Sequence, residues 1–150
     1  MPRDGKYYQG KFNPRNPEKY VGNHKNIVYR SSWELKFLQW CDRNEKILRY
    51  GSEEISIPYY DPVKKKVRRY FPDAFVEIVH VDGRKRKYLV EIKPKKQTIP
   101  PKKGSKKSKT YINEVYTYAT NEAKWKAAKE FCEDNLLEFK IITEEELGIK

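Results

Sequence analysis

The chain has 150 residues, of which 37% are hydrophobic and 36% charged, enough for the core of one ordinary domain. Lys and Arg number 33 against 21 Asp and Glu, a net +12 that points to a polyanionic partner, nucleic acid before an anionic membrane. No run of about 18 apolar residues is present, so no membrane span is expected. The start of the chain has no apolar stretch of the secretory kind, and Cys41 and Cys132 alone make no disulfide framework. His24 and His80 stand apart from both cysteines, so no Cys/His zinc spacing exists.

In chain order, residues 1–30 are rich in Gly, Pro, Asn, Lys and Tyr and read as an irregular basic arm. Tyr7, Tyr8, Tyr20 and Tyr29 lie in or near it, where they suit contact with DNA or a protein partner. Trp33, Phe37, Trp40 and Cys41 follow Ser31-Ser32 at helical spacing, predicting an amphipathic helix over 32–46 with Trp33 and Trp40 as core anchors. Alternation over 54–59 predicts a strand, and 67–79 a second one. On that strand Ala74, Val76 and Ile78 share one face, and Phe71, Asp73, Phe75 and Glu77 the other. Asp82-Gly83 signals a tight hairpin into a third strand over 87–93. Residues 94–110 combine lysines with Pro, Gly and Ser and read as a mobile lysine-rich loop. Asn121 is the expected cap of a second helix to about 135, and 137–142 is a last strand. The expected fold is α/β, a mixed sheet flanked by helices within a single domain, 1–150.

Charge is unevenly placed. Residues 130–150 carry a net −5 and residues 1–129 therefore +17. No acid occurs between Ile92 and Asn113, where eight lysines lie. Lys64-Lys65-Lys66-Val67-Arg68-Arg69 and Arg84-Lys85-Arg86-Lys87 form two smaller basic clusters.

The chemistry gathers around the third strand. Leu89, Glu91 and Lys93 point to one face, while Tyr88, Val90 and Ile92 form the apolar one. Asp73 lies across the hairpin from Glu91. Two carboxylates repel unless a cation sits between them, and their oxygens suit Mg²⁺. A lysine beside such a metal can stabilise charge on a phosphate and orient a water. Two other readings stand beside this one. Glu91 and Lys93 can be a solvated ion pair, and Glu34 can close a capping box with Ser31. Pro72, lacking a ladder donor, marks an edge or bulge that can re-aim Asp73.

Pro72-Asp73 followed by Glu91-Ile92-Lys93, with Glu34 on the first helix, resembles the PD-(D/E)XK nuclease superfamily. Its restriction-endonuclease-like αβββαβ core has the element order read above. Glu34-Leu35-x-Phe37-Leu38, Phe71-Pro72-Asp73-Ala74-Phe75, Val90-Glu91-Ile92-Lys93-Pro94 and Phe139-Lys140-Ile141-Ile142-Thr143-Glu144 are similar to the TnsA-like branch. Within it, length and the helix around Lys124-Trp125 resemble nucleases that tailed phages use late in head assembly. Two departures stand out. Glu91 occupies a position where the transposon enzyme of that branch has Gln, and the lysine-rich insertion after Lys93 is long.

The resemblance implies a Mg²⁺-dependent (or Mn²⁺-dependent) DNA endo- or exonuclease. Asp73, Glu91, Glu34 and the backbone carbonyl of Ile92 would be metal ligands, with Lys93 catalytic. It implies action on packaged double-stranded DNA during head completion and head–tail joining, in the host cytoplasm, with phage head or portal proteins as partners. Retention in the virion is left open. Arg84, Lys85, Lys95, Lys96, Lys102, Lys103, Lys106 and Lys107 would track the phosphate backbone. No base-reading motif is apparent, so low sequence specificity is expected. The competing readings are a non-catalytic basic DNA-binding assembly protein and a repair or resolvase-type nuclease of the same fold.

Overall fold

The computed structural model describes residues 9–149. The chain opens with β1 (Gly10–Phe12), which pairs antiparallel with β2 (Ile27–Tyr29). Helix α1 (Ser32–Arg43) is followed by β3 (Ile47–Ser52), then by the hairpin β4 (Ile57–Asp61) and β5 (Lys66–Tyr70). Next come β6 (Ala74–Val79), β7 (Lys85–Ile92), the long α2 (Ser108–Asp134), β8 (Glu138–Ile142) and α3 (Glu144–Leu147).

The main sheet has the order β3-β6-β7-β8. β3, β6 and β7 are antiparallel, and β8 runs parallel to β7. A parallel neighbour needs a long crossover, and α2 supplies it. With α1, this is the αβββαβ core of the restriction-endonuclease-like fold.

Both faces of the sheet are buried. Ala74, Val76, Val90 and Ile92 pack under Phe37, Leu38 and Cys41 of α1. Leu89 packs with Trp125, Ala128 and Cys132 of α2 and with Ile57, Tyr59 and Tyr70 of the hairpin. The alternation read on the second and third strands therefore holds, with a different helix covering each face.

Several expectations are corrected. The first core strand is β3, not the 54–59 segment; β4 instead pairs with β5 in a separate two-stranded sheet. The 67–79 strand is two strands, broken where the chain passes through Phe71-Pro72-Asp73 from the hairpin into the main sheet. α1 ends at Arg43 because the Lys19 ammonium donates to the carbonyls of Cys41, Asp42 and Asn44 at 2.7, 3.0 and 2.9 Å, capping its C-terminus. The lysine-rich stretch is not loop throughout. Lys95–Thr98 form a 3-10 turn and α2 already begins at Ser108, so Asn121 is a buried mid-helix residue rather than a cap.

The basic arm is not irregular throughout, since β1, β2 and a 3-10 turn over Pro17–Lys19 interrupt it. Phe12, Tyr20 and Ile27 enter the core, and Tyr20 meets Tyr50 edge-on with ring centroids 5.3 Å apart. Tyr20 is thus a core residue, and Tyr29 packs against the same core, while Tyr7 and Tyr8 lie outside the described residues. Trp40 is 46% exposed, on the flank of the stripe that buries Phe37 and Cys41. Trp125 is buried as expected, as are the two free cysteines. No helix among the described residues is long and apolar enough to cross a membrane.

Candidate active site

The antiparallel register of β6 and β7 pairs Ala74 with Val90, so the next step sets Asp73 opposite Glu91. Asp73 is held there by its own side chain. Its Oδ2 accepts the backbone N–H of Ile92 at 2.7 Å, and its carbonyl accepts the N–H of Glu53 at 3.2 Å. Pro72 is fully buried at the bend that delivers it.

Glu34 reaches Asp73 from α1. Ser31 Oγ accepts the N–H of Glu34 at 3.1 Å, the ordinary N-cap bond. The Glu34 carboxylate does not return to Ser31, as a capping box requires. Its Oε2 instead accepts the N–H of Arg30 at 3.0 Å, and its Oε1 is buried with no hydrogen-bond partner. The capping box with Ser31 is therefore not formed, and one Glu34 oxygen is left without a donor in a carboxylate that lies near Asp73. A buried oxygen without a donor is uncommon and asks for a missing partner.

Glu53 completes this side and was absent from the sequence reading. Oxygens of Glu34, Glu53 and Asp73 all lie within 4.8 Å of one another. Glu53 leaves the end of β3 with φ of 55°, a left-handed backbone that costs a non-glycine residue about 1 kcal/mol. Its carboxylate is paired with the Arg30 guanidinium. The only available signal was two adjacent acids, Glu53-Glu54, after an apolar run, a pattern common on any surface.

Glu91 belongs to the other side. The Tyr70 hydroxyl donates to its Oε1 at 2.5 Å, and Lys93 Nζ lies 3.7 Å from its Oε2. Tyr70 comes from the hairpin, so β4–β5 anchors a site residue. Lys124, on α2, sits over the rings of Tyr59 and Tyr70 with its ammonium 5.9 and 5.7 Å from their centroids.

The electrostatics agree with an incomplete acid cluster. Burial pushes the Glu34 carboxyl up to about 7. Burial, then the charge of Glu91, pushes Asp73 well above the usual range. Burial raises Glu91 too, against the pull of Lys93 and Tyr70. These acids resist ionising together unless a cation joins them. Hard carboxylate oxygens, one of them orphaned, fit a divalent cation such as Mg²⁺, which takes a few carboxylates and completes its shell with water and phosphate oxygens.

The expected backbone-tracking residues scatter. Lys95 bonds the acidic C-terminal segment, its N–H to Glu144 at 2.7 Å and its Nζ to Glu145 at 2.8 Å, and Lys106 pairs with Glu114 at 2.7 Å. Lys96, Lys102, Lys103 and Lys107 are exposed between β7 and α2. Lys85 starts β7 at its far end, six strand residues from Glu91 or about 20 Å at the usual rise, and Arg84 lies one residue before it. The apolar cleft under Trp40, of about 330 Å³, is walled by Phe37, Val76, Tyr88 and Leu147 and contains none of the site acids.

The family model for the N-terminal domain of TnsA-like endonucleases matches residues 44–144. The chain belongs to the TnsA-like endonuclease family. That match holds Asp73, Glu91, Lys93, Glu53 and Lys124 and starts after α1, so Glu34 lies outside it. The chain is also similar to the head completion nuclease of Enterobacteria phage T4, at 42% identity over 144 residues covering 93% of each chain. No solved structure matches.

Proposed function

We propose that this chain is a divalent-metal-dependent DNA endonuclease of low sequence specificity that acts in phage head completion. The reading rests most on Asp73, whose carboxylate lies within 4.8 Å of those of Glu34 and Glu53 and which stands opposite Glu91, the partner of Lys93. Kinship with the T4 head completion nuclease supports the biological setting. Action on packaged DNA at the filled head, head–tail joining in the infected cell and head or portal partners belong to the same proposal.

Asp73, Glu34 and Glu53 would hold the cation, with Glu91 and the Ile92 carbonyl as further oxygen donors. When bound, the ion would neutralise charge on the scissile phosphate and favour ionisation of a water. Lys93 would orient that water and stabilise the charge of the pentavalent phosphorus. Tyr70 fixes the Glu91 carboxylate so that Lys93 is held by one oxygen only. Asp73 is fixed by Ile92 N–H, which keeps one of its oxygens free for the site.

Exposed lysines between β7 and α2 would follow the phosphate backbone. Exposed ion pairs such as Lys95–Glu145 and Lys106–Glu114 contribute only about 0–1 kcal/mol. Phosphates can therefore exchange for those acids at little cost.

The test is incubation of plasmid and linear DNA with Mg²⁺, with and without chelator, using wild type, Asp73→Ala and Lys93→Ala. Chelator-sensitive cleavage that both substitutions abolish, with DNA binding retained, supports the reading. Cleavage unchanged in both variants refutes it.

A further inference from the structure

We propose that Lys124 is a substrate-binding cation of this site, gripping a phosphate of the cleaved strand beside Lys93. The inference rests on the nuclease reading for its substrate, a DNA phosphodiester. It starts from the position of Lys124 on α2. The buried residues of that helix are Asn121, Trp125, Ala128 and Cys132. Lys124 lies three residues after Asn121 and four before Ala128, on the inward stripe rather than the solvated one.

The ammonium of Lys124 lies over the faces of Tyr59 and Tyr70, which attract its charge but do not neutralise it. Among the described residues, no carboxylate lies within salt-bridge distance of the Lys124 ammonium and no group accepts a hydrogen bond from it. The nearby acids are already engaged. Glu91 accepts from Tyr70 and faces Lys93, while Asp61 accepts the N–H groups of Val63 and Lys64 and pairs with Arg68 at 3.3 Å. Lys93 faces Glu91 and Arg68 pairs with Asp61, which leaves Lys124 half-buried with no carboxylate paired to it among the described residues. Burial, then repulsion from Lys93, bears on the same ammonium. A structural role would place a third acid here. An anion that arrives with the substrate serves instead, and a phosphodiester carries the single negative charge required.

The site then has two electrostatic halves at the end of the sheet. Glu34, Glu53 and Asp73 form the cation-seeking half, and Lys93 with Lys124 forms the anion-seeking half. The β4–β5 hairpin lies behind the second half, supplying both tyrosine rings.

The test measures binding of a labelled duplex in Ca²⁺ across a salt titration, together with single-turnover cleavage in Mg²⁺. The variants are Lys124→Met, Lys124→Gln and Lys124→Arg, with exposed Lys126→Met as control. Met keeps the stem on the tyrosines, so thermal melting separates packing from charge. One lost phosphate contact lowers the slope of log K against log salt by about 0.9. Both neutral variants are expected to show that loss and a cleavage rate lower by on the order of 10²-fold. Lys124→Arg should restore most of the slope, and the control should match wild type. A wild-type slope in either folded neutral variant overturns the proposal. Wild-type protein that binds DNA without cleaving it refutes the nuclease reading, and the slope still decides the contact.

Discussion

Asp73 accepts the backbone N–H of Ile92 at 2.7 Å, which ties the Pro-Asp bend to the strand that carries Glu91 and Lys93. The bond joins two motifs eighteen positions apart into one rigid corner, and its donor is a backbone N–H that every residue except proline carries. Asp73→Asn can accept through its carbonyl oxygen but brings a neutral group to the cluster. Its fold should survive while cleavage falls by on the order of 10²–10³-fold. Circular dichroism and single-turnover rates together check this.

The second prediction concerns pH without metal. Glu34 has its pKa raised to about 7 in the folded chain from an ordinary 4.5, so the folded state holds this proton more tightly than the unfolded state. The stabilisation is complete below about pH 4.5 and is lost as pH rises through 7, by up to roughly 3 kcal/mol. Asp73 and Glu91 shift upward as well and act in the same direction. Metal-free protein should therefore melt at lower temperature at pH 8 than at pH 5.5. Glu34→Gln should flatten that slope, and Mn²⁺ should raise the melting temperature of wild type at pH 8 more than that of the variant. An unchanged slope in Glu34→Gln would count against the buried-acid account.

Tyr70→Phe removes the donor to Glu91 Oε1. A hydrogen bond to a charged group contributes about 1.5–3 kcal/mol, so the Glu91 carboxylate should lose its fixed orientation. The expected effect is a fall of about tenfold or more in cleavage rate with DNA affinity kept, because the ring that carries Lys124 remains. Rate and affinity measured on the same preparation separate the two.

Away from the chemistry, Asp42 accepts Arg15 N–H at 2.8 Å, Asn16 N–H at 3.1 Å and the Tyr50 hydroxyl at 3.3 Å. Lys19 closes the end of α1 beside it. Asp42→Ala strands three donors and should cost about 3 kcal/mol in urea unfolding. Lys19→Met should cost about 1–2 kcal/mol. Neither touches the site, so specific activity of the folded fraction should remain.

The core of the fold was readable because its strands alternate and its first helix carries a clear apolar stripe. β6 and β7 pack on both faces as their alternation indicates, and Asp73, Glu91 and Lys93 stand out through spacing along adjoining strands. β3 escaped because Ile47-Leu48-Arg49-Tyr50-Gly51-Ser52 has no alternation, being buried at five of its six positions to some degree. The hairpin reads as a strand of the main sheet because Ile57 and Tyr59 alternate as well as any strand of that sheet does. Its separateness comes from pairing, which local sequence does not encode. The first half of α2 does carry Ile112, Val115 and Tyr116 at helical spacing, but these are exposed, and the lysine, proline and glycine run before them hides where the helix starts. Glu53 and Lys124 were invisible as site residues for a related reason. A single acid or lysine acquires meaning only from what the chain brings against it.

The most direct test of the acid cluster is calorimetric titration of Mn²⁺ into wild type and Asp73→Asn, paired with Mg²⁺-dependent plasmid cleavage by the same samples. Wild type should bind the ion and cleave, and Asp73→Asn should lose both while keeping its fold. Full cleavage by folded Asp73→Asn, or cleavage by wild type that chelator leaves untouched, would contradict the account.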